Sequence, residues 1–268
     1  MQKKVAIVQD VSCMGKCSTL VAAPIISGFS HEVHLLPTAI FSAHTGFENH
    51  HHIDLTEFMS TVLSDWKKEN LSFDGIYSGY ILNAEQIKNT KTLIKDFAKT
   101  DSVILVDPVI GDGGEAYSFL SEKIRDGMIE LVKMADVITP NLTEVAILLG
   151  KDMLIEGYDE SYISNCLREF EKMGCKNPVI TGVQLKAGEI GAAYLFNGEI
   201  HFCFSQEYSG KFSGTGDTFA SVLFSALVKG IDFHTAIRLS IDILDVSLKD
   251  NDKWYGVDFE KALKIALD

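Results

Sequence analysis

Short apolar, β-branched runs alternate with helix-patterned segments along most of the chain, and this alternation limits the fold more than any other feature. Val5 to Val8, Glu32 to Leu36, Gly75 to Gly79, Val103 to Val106, Val137 to Thr139 and Val179 to Thr181 read as strands. Val103-Ile-Leu-Val106 is apolar at every position, the pattern of a strand covered on both faces. Between the strands, Cys17 to Ile26 (with Pro24 as a defect or an end), Leu55 to Lys68, Ala84 to Lys99, Ser121 to Met134, Leu142 to Leu149 and Asp159 to Met173 read as helices. Such alternation predicts an α/β fold: a mostly parallel sheet covered by helices on both faces. One segment departs from it. Ala192 to Phe196 and Glu199 to Phe204 flank Asn197-Gly198, a favoured two-residue hairpin turn, so an antiparallel hairpin is expected at one edge of the sheet. The last third reads as three helices, Asp217 to Lys229, Phe233 to Leu248 and Val257 to Leu267. No repeat, low-complexity tract or Pro-rich linker divides the sequence, so residues 1–268 are expected to form one domain.

Charge narrows the partners. Lys plus Arg number 24 against 37 Asp plus Glu, a formal charge of −13. That balance argues against nucleic acid or an anionic membrane, which recruit basic residues, but leaves room for a small anion at one local site. A hydrophobic share of 46% excludes a disordered chain. The five Cys are odd in number and irregularly spaced, which fits a reducing compartment better than a disulfide framework or zinc site. The apolar run after Lys3-Lys4 stops at Gln9-Asp10, too soon for a signal peptide. The uncharged stretch Cys17 to His31 is too short and too polar to span a bilayer. A cytoplasmic protein is expected.

Ligands of parallel α/β sheets bind beyond the carboxyl ends of the strands, so polar residues just after apolar runs matter most. Gly214-Thr215-Gly216-Asp217 precedes a helix whose buried stripe is Phe219, Val222, Leu223, Ala226 and Leu227. Its two glycines let backbone approach a ligand, and the first N–H groups of the helix point at an anion. An Asp aimed at a bound phosphate repels it unless the Asp takes a proton from the attacking group, as a general base in phosphoryl transfer. The same residues also make an ordinary helix start. Asp107 ends a buried strand before Pro108 and suits Mg²⁺ or a phosphate-bound water, or simply an Asp-Pro turn. Asp112 opens a glycine-rich loop that can cover a site. In Thr139-Pro-Asn-Leu-Thr-Glu144, Asn141 and Glu144 have capping-box spacing; a functional role needs Glu144 to turn toward metal and phosphate instead. Thr181, Asp10, Ser12, Thr45 and Tyr80 follow other strands and suit a pocket for a small polar molecule.

Three attractive signals are set aside. Gly15-Lys16-Cys17-Ser18 looks like the end of a P-loop but lacks the Gly five residues earlier and the hydroxyl directly after Lys16. His50-His51-His52 lacks the fixed geometry of a metal site. Cys13 and Cys17 have helical spacing without a second ligand pair.

Together the motifs resemble the ribokinase-like superfamily and, within it, the pyridoxal kinases. Gly214-Thr-Gly-Asp217 is similar to the superfamily signature. Asp107-Pro-Val-Ile-Gly-Asp112, Thr139 to Glu144, Phe41-Ser-Ala-His-Thr-Gly46 and Ser78-Gly-Tyr80 are similar to the vitamin B6 branch in order and spacing. The resemblance implies ATP-dependent phosphorylation of the 5′-hydroxymethyl group of a B6 vitamer by a homodimer, with Mg²⁺ and often K⁺. It implies Asp217 as base and substrate contact, and Gly214, Thr215 and Gly216 as the anion hole. It places Asp107, Asp112, Asn141 and Glu144 around metal and phosphates, with Asp107 and Glu144 as metal ligands. Thr139 and Thr181 fall on the nucleotide side, and Thr45 and Tyr80 on the pyridine ring. Asp10 departs from the Ser usual at that position, and a carboxylate there favours a protonated ring nitrogen or the amine of pyridoxamine. Hydroxymethylpyrimidine kinases share the fold and the acceptor chemistry, although relatives near that branch often carry Cys in place of Asp217. A sugar kinase lacks support because no strand cluster for a lid sheet is present, and an inactive ligand-binding relative fits poorly with an intact Gly214-Thr-Gly-Asp217.

Overall fold

A computed structural model describes residues 2–210 and 212–267 of the chain. Its elements run β1 (Lys4–Ser12), α1 (Thr19–Gly28), β2 (Glu32–Phe41), β3 (His52–Asp54), α2 (Thr56–Lys68), β4 (Phe73–Ser78), α3 (Ala84–Phe97), β5 (Ala98–Val106), β6 (Gly111–Asp112) and β7 (Glu115–Ala116). They continue α4 (Glu122–Val132), β8 (Val137–Ile138), α5 (Leu142–Leu149), α6 (Glu160–Met173), β9 (Asn177–Val183), β10 (Glu189–Phe196), β11 (Glu199–Gln206), α7 (Thr215–Lys229), α8 (Phe233–Leu248) and α9 (Phe259–Leu267). Nine strands form one sheet in the order β11-β10-β9-β8-β5-β4-β1-β2-β3. The six central strands, from β9 to β2, pair in parallel.

The central strands serve two cores. In β1, Val5 and Ile7 pack with α1, α7, α8 and α9, while Ala6 and Val8 pack with α2 to α6. Burial on both faces explains why this run shows no polar alternation. The expected hairpin is present as β10–β11, with Phe196 opposite Glu199. Asn197 and Gly198 both adopt positive φ, 50° and 80°, as a tight turn matched to strand twist requires. No helix among the described residues is long and apolar enough to cross a membrane.

The structure differs from the pattern reading in four places. First, β2 runs on to Phe41, and its register against β1 slips between Gln9 and Val11. Pro37, opposite Gln9, has no N–H for the ladder, and the slip leaves Asp10 facing two residues of β2. Second, β3 adds an antiparallel strand at the other edge and takes in His52, in a segment where no strand was expected. Third, α3 ends at Phe97 because Ala98 is already extended as the start of β5. Finally, the glycine-rich loop after Asp107 folds into the small β6–β7 hairpin.

Candidate active site

Helices α3, α4, α5, α6 and α8 each begin on a side-chain cap, from Asn83, Ser121, Asn141, Asp159 and Asp232 respectively. Helix α7 begins on Gly214 and has no such cap. Its first N–H with an intrahelical partner belongs to Thr218, which donates to the Gly214 carbonyl at 2.9 Å. The preceding N–H groups, with the helix dipole behind them, are left for an anion. Gly214 is required twice over: its φ is 80°, and a Cβ there would lie 2.3 Å from the Lys16 carbonyl oxygen. Around Gly216 the protein leaves open space. Asp217, half-buried in the first turn, accepts the Ser18 backbone N–H on Oδ2 at 2.9 Å. Burial raises its pKa to about 6; the Ser18 N–H opposes this and the Asp10 charge adds to it.

Four more carboxylates share the carboxyl edge of the sheet. Asp10 is 4% exposed and accepts the Ser12 hydroxyl at 3.0 Å. Burial raises its pKa against the hydroxyls of Ser18 and Ser12. Asp107 follows β5, its N–H on the Ser78 carbonyl at 2.8 Å and its Oδ1 accepting the Thr139 hydroxyl at 3.0 Å. Burial, then the Asp217 charge, pushes it up, with the Thr139 bond opposing. Glu144 is 4% exposed and completes the capping box: Oε2 accepts the Asn141 N–H at 2.9 Å, while Asn141 Oδ1 accepts the Glu144 N–H at 3.0 Å. Its Oε1 accepts the Ile110 N–H at 3.2 Å. Burial first, then Asp107, raises Glu144 well above the usual carboxylate range. Backbone donors therefore hold Glu144 in the cap, and its position beside Asp107 follows from the cap rather than replacing it. Asp112 is exposed in β6. Among the described residues no Lys or Arg forms an ion pair with these groups: Lys16 pairs with Asp258 and Glu260, 3.2 and 2.8 Å distant.

Thr181 lies inside β9, two residues short of its end, and bridges to Asn141 because β8 has already stopped at Ile138. The Asn141 amide also donates to the Gly111 carbonyl at 2.9 Å, anchoring the β6–β7 loop. Tyr117, on that loop, reaches over the carboxylates. Burial first, then the charges of Asp112, Glu144, Asp217 and Asp107, raises its hydroxyl pKa. Tyr80 packs edge-on to Phe41 and Phe119 with ring centroids 5.6 and 5.3 Å apart, forming an aromatic wall near Asp10. Burial, then Asp10 and Asp54, raises the Tyr80 hydroxyl pKa. Thr45 is exposed in the loop after β2.

Sequence reasoning missed three contributors. Ser18 supplies the N–H that holds Asp217 and sat within the rejected P-loop look-alike. His44 is buried, accepts the Gly46 N–H on Nδ1 at 2.9 Å, and fills the space that side chains on Gly15 and Gly46 would need. That pair of flanking glycines was its available signal. Trp254 packs on His44 and Phe47, with centroids 5.7 and 4.7 Å apart, and nothing local marked it. Among the described residues no group of three or more His, Cys, Asp or Glu is arranged to hold a metal ion, and all five cysteines are free.

Comparison with known proteins follows the same lines. A Bacteroides thetaiotaomicron protein named "putative phosphomethylpyrimidine kinase", solved in an orthorhombic form with pyridoxal, shares 32% identity and a TM-score of 0.93 over 100% of this chain and 96% of its own. Pyridoxal kinase from Lactobacillus plantarum gives 26% identity and a TM-score of 0.91 over 100% and 97%. The hydroxymethylpyrimidine/phosphomethylpyrimidine kinase of Aquifex aeolicus is 26% identical over 187 residues, 69% of this chain and 71% of that protein. The family model for phosphomethylpyrimidine kinase matches residues 36–258, and the chain therefore belongs to that family of kinases, within the ribokinase-like superfamily.

Proposed function

We propose that the protein is an ATP-dependent kinase that phosphorylates the 5′-hydroxymethyl group of a vitamin B6 vitamer, with Asp217 as general base. The observation that carries this reading is the placement of Asp217. Its carboxylate is held by the Ser18 N–H at the uncapped start of α7, close enough to Asp107 for their charges to interact, with Glu144 in turn interacting with Asp107. ATP lies along the Thr139 and Thr181 side with its terminal phosphate over Gly214, Thr215 and Gly216. Asp217 takes the hydroxyl proton as the oxygen attacks in line, and the free N–H groups of α7 take up charge on the phosphoryl oxygens. Asp107 and Glu144 offer hard oxygens on two carboxylates, the number Mg²⁺ commonly uses beside nucleotide phosphates and water. A bound Mg²⁺ supplies charge neutralisation on those phosphates. Tyr117 and the β6–β7 loop, pinned by Asn141 and by the Gly114 N–H on Thr143 Oγ1 at 2.9 Å, exclude water from the transfer.

Among family substrates, a B6 vitamer fits better than a pyrimidine monophosphate. The Asp10 charge raises the cost of ionising Asp217, and among the described residues no basic side chain pairs with either. An acceptor that already carries a phosphate is repelled there, whereas a ring N–H⁺ or aminomethyl cation is attracted. The pyridoxal in the Bacteroides structure supports the same choice. Coupled ADP release with pyridoxal, pyridoxine, pyridoxamine, hydroxymethylpyrimidine and its phosphate tests it. Turnover of the B6 vitamers is expected. Turnover confined to the pyrimidines removes the B6 assignment, and no turnover with any of them removes the kinase mechanism for these acceptors.

A further inference from the structure

The P-loop look-alike does have a place in the site. Lys16 sends its ammonium to the Val257 carbonyl and Asp258 Oδ1, both at 3.2 Å, and to Glu260 Oε2 at 2.8 Å. Its stem crosses the Phe259 ring, with Nζ 5.5 Å from the centroid. Its backbone N–H donates to the Tyr255 carbonyl at 2.9 Å, and its own carbonyl faces Gly214 so closely that no Cβ fits there. A Cβ on Gly256 would lie 2.3 Å from the Lys16 Cβ, so the Gly256 backbone packs directly against the Lys16 side chain. The Ser213 N–H completes the join on the Trp254 carbonyl at 3.1 Å. Two residues after Lys16, Ser18 holds φ 49°, a region that favours glycine, while it donates to Asp217. A backbone in that region persists only when its surroundings hold it.

We propose that Lys16 is a positioning residue for Asp217. Its clasp on residues 255–260 fixes the 16–18 turn against the start of α7, so that the Ser18 N–H meets the Asp217 carboxylate. Segments at opposite ends of the chain thereby set the orientation of one side chain. The activity arm of the test rests on the kinase reading; the amide arm does not.

The experiment compares wild type, Lys16→Met and Lys16→Arg by steady-state kinetics and by hydrogen exchange at the Ser18 amide, read by NMR. Lys16→Met is expected to lower kcat roughly 10- to 100-fold, the scale of a misplaced catalytic group, with the ATP KM within about threefold. It is expected to lose Ser18 protection as well, while Lys16→Arg keeps both properties. If Lys16→Met does not fold, Asp258→Asn is read in the same way. Unchanged Ser18 protection in a folded clasp variant overturns the proposal, whatever happens to turnover. So does lost protection with normal kcat. A wild type without kinase activity whose Ser18 protection still depends on Lys16 removes the kinase reading and supports the clasp.

Discussion

Asp107 and Asp258 are almost equally hidden, 8% and 9% exposed, yet they ionise in opposite directions. Asp258 receives Lys16, Lys253 and Lys261 at 3.2, 2.7 and 3.3 Å, and its pKa falls below the usual range, chiefly through the Lys253 bond. Asp107 has the Thr139 hydroxyl as its hydrogen-bond donor, and burial first, then the Asp217 charge, raises its pKa. Burial raises both carboxylates; at Asp258 the lysine hydrogen bonds outweigh it, and at Asp107, among the described residues, no cation answers it and a like charge adds to it. The clasp around Asp258 gathers opposite charges and stabilises the fold. The carboxyl edge of the sheet gathers like charges, at a cost in stability that suits it for binding cations and accepting protons.

The contrast can be broken most severely at Asp217. Asp217→Asn is expected to lower kcat by roughly 10²–10⁴-fold, the weight of a general base, with nucleotide affinity nearly unchanged by calorimetry. Near-normal turnover would move the base to another group. The same variant relieves the repulsion at the edge. A carboxylate raised in the folded state contributes stability below its unfolded pKa and loses it as pH rises through the folded value. Above about pH 6, Asp217→Asn is therefore expected to be more stable than wild type by about 1–2 kcal/mol, with the gain fading toward pH 4. Equal melting temperatures at pH 8 would show that the edge is not strained.

Asp10 sharpens the comparison toward substrate. Asp10→Ser is expected to lower kcat/KM for pyridoxamine about tenfold relative to pyridoxal, the lower range for losing one charge-assisted bond. An unchanged ratio removes Asp10 from specificity. In the wild type, the acidic limb of the kcat–pH profile is expected to have an apparent pKa near 6, because Asp217 must be ionised to take the proton. A limb near 4 would mean that bound substrate or cation has cancelled the effects of burial and Asp10. The smallest change is expected at the clasp. Asp258→Asn should cost about 1 kcal/mol at neutral pH, near the upper range for pairs close to the surface. As a depressed carboxylate, Asp258 stabilises fully above its unfolded pKa, so that difference should begin to shrink below about pH 4 and be lost only as pH passes through the much lower folded value. A difference that does not shrink at all between about pH 6 and pH 2 would assign the loss to packing instead of charge.

The glycines and turn residues were the most legible parts of the chain. Gly214, Asn197-Gly198 and the Asn141–Glu144 cap depend on residues within a few positions of one another, so local geometry announces them. Strand β1 and the end of β5 were legible for a related reason, since burial on both faces leaves an unbroken apolar run there. The edges were less so. β3 is three residues long with every position exposed, and it exists because β2 continues past Pro37 to meet it. In the site, Asp107 and Asp217 were readable from their positions after a strand and before a helix. Ser18 was not, because its backbone N–H does the work and its identity as Ser says nothing about that.

Sequence alone determined the α/β alternation, the late hairpin, the bare glycine start of α7 and the type of each residue along the ligand edge, because hydrophobic period and turn chemistry act over short range. Tertiary structure decided which carboxylates lie near one another, that Lys16 serves Asp258 and not a phosphate, and that residues 254–260 close against the loop after β1. Those outcomes depend on contacts between residues up to 244 positions apart. No local pattern encodes such a pairing; it appears only once the sheet and its two helical layers have packed.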